Sequence, residues 1–95
     1  DQEHGLRPGT ENVALIVALG AAAALARASL PALTAQLRNL RDRLHVQLQA
    51  GVPGLRLNGH PDQRLPNTLH VSFPGIGGRK LLAEASDTVA ASVGS

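Results

Sequence analysis

The sequence predicts a mixed helix-and-strand fold of the α/β class, or α+β if the chain is a piece of a larger core. Apolar residues recur at helical spacing from Val13 to about Gln49. They then alternate strictly in Leu55-Arg56-Leu57 and in Thr68–Phe73. The change of period falls on Gly51-Val52-Pro53-Gly54, a run of turn formers. The element order expected from these signals is α-α-β-β-α-β.

Asp1–Asn12 is polar and turn-rich. Pro8-Gly9 favours a tight turn, because Pro fixes φ and Gly tolerates positive φ. Thr10 is read as the N-cap of a first helix, Val13–Ala28, rich in alanine and leucine. Ser29-Leu30-Pro31 punctuates it, since Pro31 fits the first turn of a second helix better than the interior of a long one. That second helix, about Leu30–Gln49, carries Leu30, Leu33, Leu37, Leu40, Leu44 and Leu48 at spacings of three or four, a stripe expected to pack. Arg38, Arg41, Asp42, Arg43 and Gln47 lie off the stripe and read as a solvated face. Beyond Gly54 come the strand Leu55–Leu57, the turn at Asn58-Gly59, the strand Thr68–Phe73 with Leu69, Val71 and Phe73 inward, a short helix Arg79–Ala85, and a closing strand Thr88–Val93.

Ninety-five residues suffice for one small domain with a marginal core. Phe73 is the single aromatic, so the core lacks large rings. The formal charge of +2 is too mild to imply nucleic acid, and no aromatics are interleaved with the arginines for base stacking. The absence of cysteine excludes a disulfide framework and thiolate metal sites. His4, His45, His60 and His70 are scattered and show no metal-ligand spacing. No signal-peptide pattern is present, and the apolar run Val13–Ala26 falls short of the ~18–20 residues that cross a bilayer, so a soluble protein is expected. Gly75-Ile76-Gly77-Gly78-Arg79-Lys80 lacks the spacing of a nucleotide phosphate loop and reads as a turn before a helix.

One stretch carries candidate chemistry. In Gly5–Asn12, Arg7 supplies a permanent positive charge beside a turn that feeds a helix N-terminus, where free N–H groups and the dipole favour an anion. The alternative is a plain helix cap with Glu11 complementing the dipole and Arg7 solvated. Glu11 also places a negative charge against any anion there.

Asp1–Asn12 resembles the segment G-G-x-Q-E-x-G-x-R-x-G-T-x-N of cysteine desulfurases and selenocysteine lyases, pyridoxal-phosphate enzymes of the class V aminotransferase group. Arg64-Leu65-Pro66-Asn67-Thr68 with Val71-Ser72-Phe73 is similar to their R-L-P-N-T-x-x-x-S-F strand. Ala91-Ser92-Val93-Gly94-Ser95 resembles the lead into their G-S-A-C segment. The three motifs stand in family order and the resemblance covers essentially the whole chain.

The resemblance implies part of a fold-type I pyridoxal-phosphate transferase fold. Residues 1–12 would be a cofactor-phosphate loop from the large domain, 13–50 connecting helices, and 51–95 part of the small C-terminal domain. It implies that the hydroxyl of Thr10 contacts the cofactor phosphate, in the neighbouring subunit of a homodimer, with Gly9 and Arg7 flanking it in the same cofactor-binding loop. His4 stands where many members have arginine. The lysine that carries the cofactor would lie upstream of this chain, the only lysine here, Lys80, does not match it, and the sulfur-handling cysteine would follow Ser95. Neither a catalytic residue nor a metal ligand is therefore assigned to this chain, which alone is expected to be inactive and not to hold pyridoxal phosphate. The parent would be a cytoplasmic enzyme acting on an amino acid, with the remainder of its polypeptide as this segment's partner and neither nucleic acid nor membrane involved. The alternative is a non-enzymatic helical module that uses the leucine stripe for interaction.

Overall fold

The computed structural model describes residues 2–92. The elements are a 3₁₀ turn at Gln2–Gly5, helix α1 at Val13–Gly51, strands β1 at Arg56–Leu57 and β2 at Val71–Ser72, and helix α2 at Gly78–Glu84. Two compact units divide the chain, Asp1–Leu33 and Thr34–Ser95, with the boundary inside α1.

In the first unit the helix begins at Val13, as expected, but Thr10 does not cap it. Asn12 is the cap: its side-chain oxygen accepts the Leu15 amide at 3.1 Å, and its carbonyl accepts the first helical bond from Ile16 at 3.0 Å. Thr10 is thus not the N-cap. Both residue types cap well, but only Asn12 sits three residues before the amide it binds.

Two helices separated at Ser29–Pro31 were expected; one helix of 39 residues is found, with Pro31 inside it. Proline removes the bond to the Arg27 carbonyl and crowds it, at a cost of about 3 kcal/mol. The alanine- and leucine-rich sequence on both sides carries the helix through. Its length also revises the expectation drawn from Val13–Ala26. The helix is long and apolar enough to cross a membrane by length and composition, with a window of mean hydropathy 2.0 and no residue of it buried. Core helices of soluble proteins meet the same criterion.

In the second unit, the face of α1 that packs is Thr34, Leu37, Arg41, His45 and Leu48, continued just past the helix end by Val52, all half-buried. This face is rotated from the leucine stripe. Only Leu37 and Leu48 belong to both; Leu30, Leu33, Leu40 and Leu44 remain exposed. Arg41 is likewise not solvated, for its side chain is only 9% exposed. Arg41 fits there because the Leu65 carbonyl supplies an acceptor at 3.1 Å.

β1 and β2 pair antiparallel, Arg56 opposite Ser72 and Leu57 opposite Val71. The expected alternation holds in burial: Leu55, Leu57, Leu69, Val71 and Phe73 are half-buried while Arg56, Thr68, His70 and Ser72 are exposed. The ladder itself is shorter than Thr68–Phe73. The Thr68 amide turns back to the Leu65 carbonyl at 3.1 Å, and Pro74 follows with no amide to extend the pairing. Asn58 closes the sheet's end, donating from its amide to the His70 carbonyl at 2.8 Å and from its side chain to the Ser72 hydroxyl at 2.8 Å.

α2 starts one residue before the expected Arg79 and ends at Glu84. No strand follows over residues 88–92. The Thr88 amide and hydroxyl and the Val89 amide all donate to the Ala85 carbonyl, at 3.0, 3.2 and 2.9 Å, and wind the chain into a turn. Val93, the last residue of the expected strand, lies outside the described residues, as do Gly94 and Ser95 of the third motif. No residue of the described chain reaches full burial.

Candidate functional site

The Arg7–Asn12 loop follows the 3₁₀ turn, whose Glu3 and His4 adopt left-handed φ of 52° and 54°. The Leu6 amide donates back to the Glu3 carbonyl at 2.9 Å, which returns the chain toward Arg7. Gly9 has a φ of +85°, open to glycine without strain, and a side chain there would meet nothing within 4 Å. Gly9 is therefore required by backbone conformation and not by close approach within this chain.

Arg7 spends its donors on the loop. Its Nη1 donates to the carbonyls of Pro8 at 3.2 Å and Gly9 at 2.9 Å, and its Nη2 to the Glu11 carboxylate at 2.7 Å. The Glu3 carboxylate stands 3.8 Å from the same nitrogen. The Arg7 side chain is 43% exposed, as the plain-cap reading expects, but its donors are engaged within the loop. Thr10, next in line, is exposed, and among the described residues its hydroxyl has no hydrogen-bond partner.

The helix end offers less to an anion than its sequence suggested. The Val13 amide is taken by the Glu11 carbonyl at 3.1 Å and the Leu15 amide by Asn12. Of the first three helical amides, only that of Ala14 is left. What remains for a phosphate at this loop is the Thr10 hydroxyl together with the backbone amides of Gly9, Thr10, Glu11, Asn12 and Ala14, none of which donates to a partner among the described residues, and neutral donors free of internal partners fit such a group.

A second polar cluster was missed from sequence. Arg38, Arg41, Asp42, Pro61, Asp62 and Arg64 line a groove of about 440 Å³. Arg41 is bound there to Asp42 at 2.8 and 3.0 Å and to the Leu65 carbonyl at 3.1 Å. Arg64 Nε and Nη1, like His45 Nε2, are buried with no partner among the described residues. His60 is occupied locally, its Nδ1 accepting the amides of Asp62 at 3.0 Å and Gln63 at 2.8 Å. Among the described residues no group of three or more His, Cys, Asp or Glu side chains could hold a metal ion.

The loop, the Arg64–Thr68 turn and β2 are the places where the first two family motifs fall. The chain is 46% identical over 85 residues to the cysteine desulfurase IscS of Clostridium botulinum, covering 87% of this chain and 21% of that protein. It is 41% identical over 95 residues to the cysteine desulfurase NifS of Azotobacter vinelandii, covering 99% of this chain and 24% of that protein. It is 44% identical over 81 residues to cysteine desulfurase 2 of Trichormus variabilis, covering 85% and 20% respectively. The chain thus spans about a fifth to a quarter of the length of these relatives. No solved structure matches. The family described as Aminotransferase class-V matches residues 1–95, the full span over which the three motifs were read, and the chain belongs to that family.

Proposed function

We propose that this chain is a segment of a pyridoxal-phosphate-dependent enzyme that removes sulfur or selenium from cysteine or selenocysteine and leaves alanine. The observation that carries the reading is the 41–46% identity to cysteine desulfurases across nearly the whole chain. When bound, the cofactor supplies an electron sink for the amino-acid substrate. This chain's part is to hold it: Thr10 donates its hydroxyl to the phosphate, and Gly9 and Arg7 shape the loop that presents it. The partner-subunit site and the homodimer it requires rest on the same resemblance, as does a cytoplasmic location.

The exposed leucines at 30, 33, 40 and 44 suit an apolar surface on the remainder of such an enzyme. A separate helical partner is the second reading, favoured by the same exposed flank. In both, residues 51–95 act as scaffold.

The test is product analysis. With a dithiol reductant added to convert the zero-valent sulfur or selenium to sulfide or selenide, the complete enzyme carrying this chain is expected to form alanine from cysteine, or from selenocysteine, in step with that sulfide or selenide. Failure to form alanine from either amino acid overturns the assignment. The isolated 95-residue chain with added pyridoxal phosphate is expected to release neither. Turnover by that material would refute the division of labour proposed here.

A further inference from the structure

We infer that Arg7 and Glu11 form an internal clamp that fixes the Gly9–Thr10 turn, and that Arg7 acts as a positioning residue and not as a ligand of the phosphate. The inference rests on the reading of Thr10 as the phosphate contact and deepens it.

The geometry is specific. One guanidinium nitrogen faces two successive carbonyls, Pro8 at 3.2 Å and Gly9 at 2.9 Å, which restrains both peptide planes leading to Thr10. The other nitrogen binds Glu11, the residue after Thr10, at 2.7 Å. Thr10 is therefore bracketed on both sides by contacts to one planar group. The planar fork of arginine suits this arrangement, and a lysine ammonium does not.

Charge points the same way. Arg7 is accompanied by two carboxylates, Glu11 at 2.7 Å and Glu3 at 3.8 Å, so its positive charge is matched before any anion arrives. An arginine that served as a phosphate ligand would be hindered by both. A loop clamp uses the nearer one. The turn is also the place where restraint has value, because Gly9 at φ +85° gives the chain freedom that would otherwise displace the Thr10 hydroxyl. Each contact is solvent-exposed and individually weak, so the expected effects are a few-fold.

The two roles predict opposite signs for Glu11→Gln. A ligand arginine would be freed and a repelling charge removed, so pyridoxal phosphate would dissociate more slowly. The clamp predicts faster dissociation, about two- to fivefold. Arg7→Gln is expected to speed loss by at least as much, Arg7→Lys to fail to restore it, and the Arg7→Gln/Glu11→Gln double variant to be little worse than Arg7→Gln alone. These are measured in the complete enzyme, as the rate of cofactor loss.

A second readout needs no cofactor. In the cofactor-free enzyme the Val13 amide, bound to the Glu11 carbonyl, should exchange with solvent faster in both Glu11→Gln and Arg7→Gln, while the Leu15 amide, held by Asn12, stays as in the wild type. Unchanged Val13 exchange, or slower cofactor loss in Glu11→Gln, overturns the clamp. Unchanged cofactor loss in Thr10→Val overturns the phosphate reading instead, and the exchange measurement still decides the clamp.

Discussion

The Arg41 guanidinium reaches the backbone carbonyl of Leu65, 24 residues further on, with Nη1 3.1 Å from the oxygen. The side chain is 9% exposed and is held at its other edge by Asp42. It ties α1 to the Arg64–Thr68 turn that leads into β2. Arg41→Met is expected to lower the denaturation midpoint of the complete enzyme, with a loss of about 1.5–3 kcal/mol for a charge-assisted bond to a carbonyl left without a donor. Arg41→Lys should recover only part, because one ammonium cannot keep both the Asp42 and Leu65 contacts in plane.

Asn12 sets the start of α1 through its bond to the Leu15 amide. Replacement by alanine should cost about 0.5–2 kcal/mol, and Asn12→Asp should be nearly silent or slightly favourable beside the helix N-terminus. Thr10→Ala should leave the same stability untouched. Equal losses at the two positions, measured by denaturation, would show that the cap is shared.

Pro31 interrupts an otherwise continuous helical ladder. Pro31→Ala restores a donor to the Arg27 carbonyl and removes the ring's crowding. Stability should rise, by at most about 3 kcal/mol, since surrounding residues have already adapted to the proline. A drop in melting temperature would show that the local shape imposed by Pro31 is itself required.

Gly54 follows the end of α1 with φ +79°, and a Cβ there would stand 3.3 Å from Pro74 Cγ. Gly54→Ala meets both a left-handed conformation and a tight contact with a rigid ring. A loss of roughly 1–3 kcal/mol is expected. Gly59, at φ +85° with nothing within 4 Å, provides the control. Gly59→Ala should pay the conformational part alone, so the difference between the two midpoints reports the Pro74 contact.

What was legible in the sequence was local. Alternation in Leu55–Leu57 and Leu69–Phe73 depends only on neighbouring residues, and burial follows it residue by residue. The strand ends were not legible, because they depend on where Thr68 and Asn58 find partners. The break expected at Pro31 is absent because Pro31 acts against a long stretch of strong helix formers, and their sum prevails. The packing face was misjudged for a different reason. Leucine spacing names an apolar stripe, but the second unit presents a carbonyl at Leu65, and that draws Arg41 and its neighbours inward. In the candidate site, the glycine and the turn could be read directly. Arg7 was visible as a charge, but its engagement with Pro8, Gly9 and Glu11 needs coordinates. Thr10 has no mark of its own beyond an unpaired hydroxyl, so only the family motif singles it out.

Thr10 is the residue on which the proposed function can be tested most cleanly, because its two candidate roles have come apart. As a cap it would affect stability; as a phosphate contact it would affect cofactor retention. With Asn12 holding the Leu15 amide, the first role belongs elsewhere. Thr10→Val keeps the side chain's shape and removes the hydroxyl. One hydrogen bond to a charged phosphate contributes about 1.5–3 kcal/mol, a roughly ten- to hundredfold change in affinity. In the complete enzyme, the valine variant should therefore lose pyridoxal phosphate faster, while the cofactor-free protein unfolds at the wild-type midpoint. Thr10→Ser retains the donor and should be close to wild type in both measurements. The pairing of serine with valine separates loss of a donor from disturbance of the turn, since Thr10 is not among the positive-φ residues and neither replacement meets left-handed strain there. If valine retains cofactor as well as wild type, the hydroxyl makes no contact with the phosphate, and the loop's place in the cofactor site has to be given up.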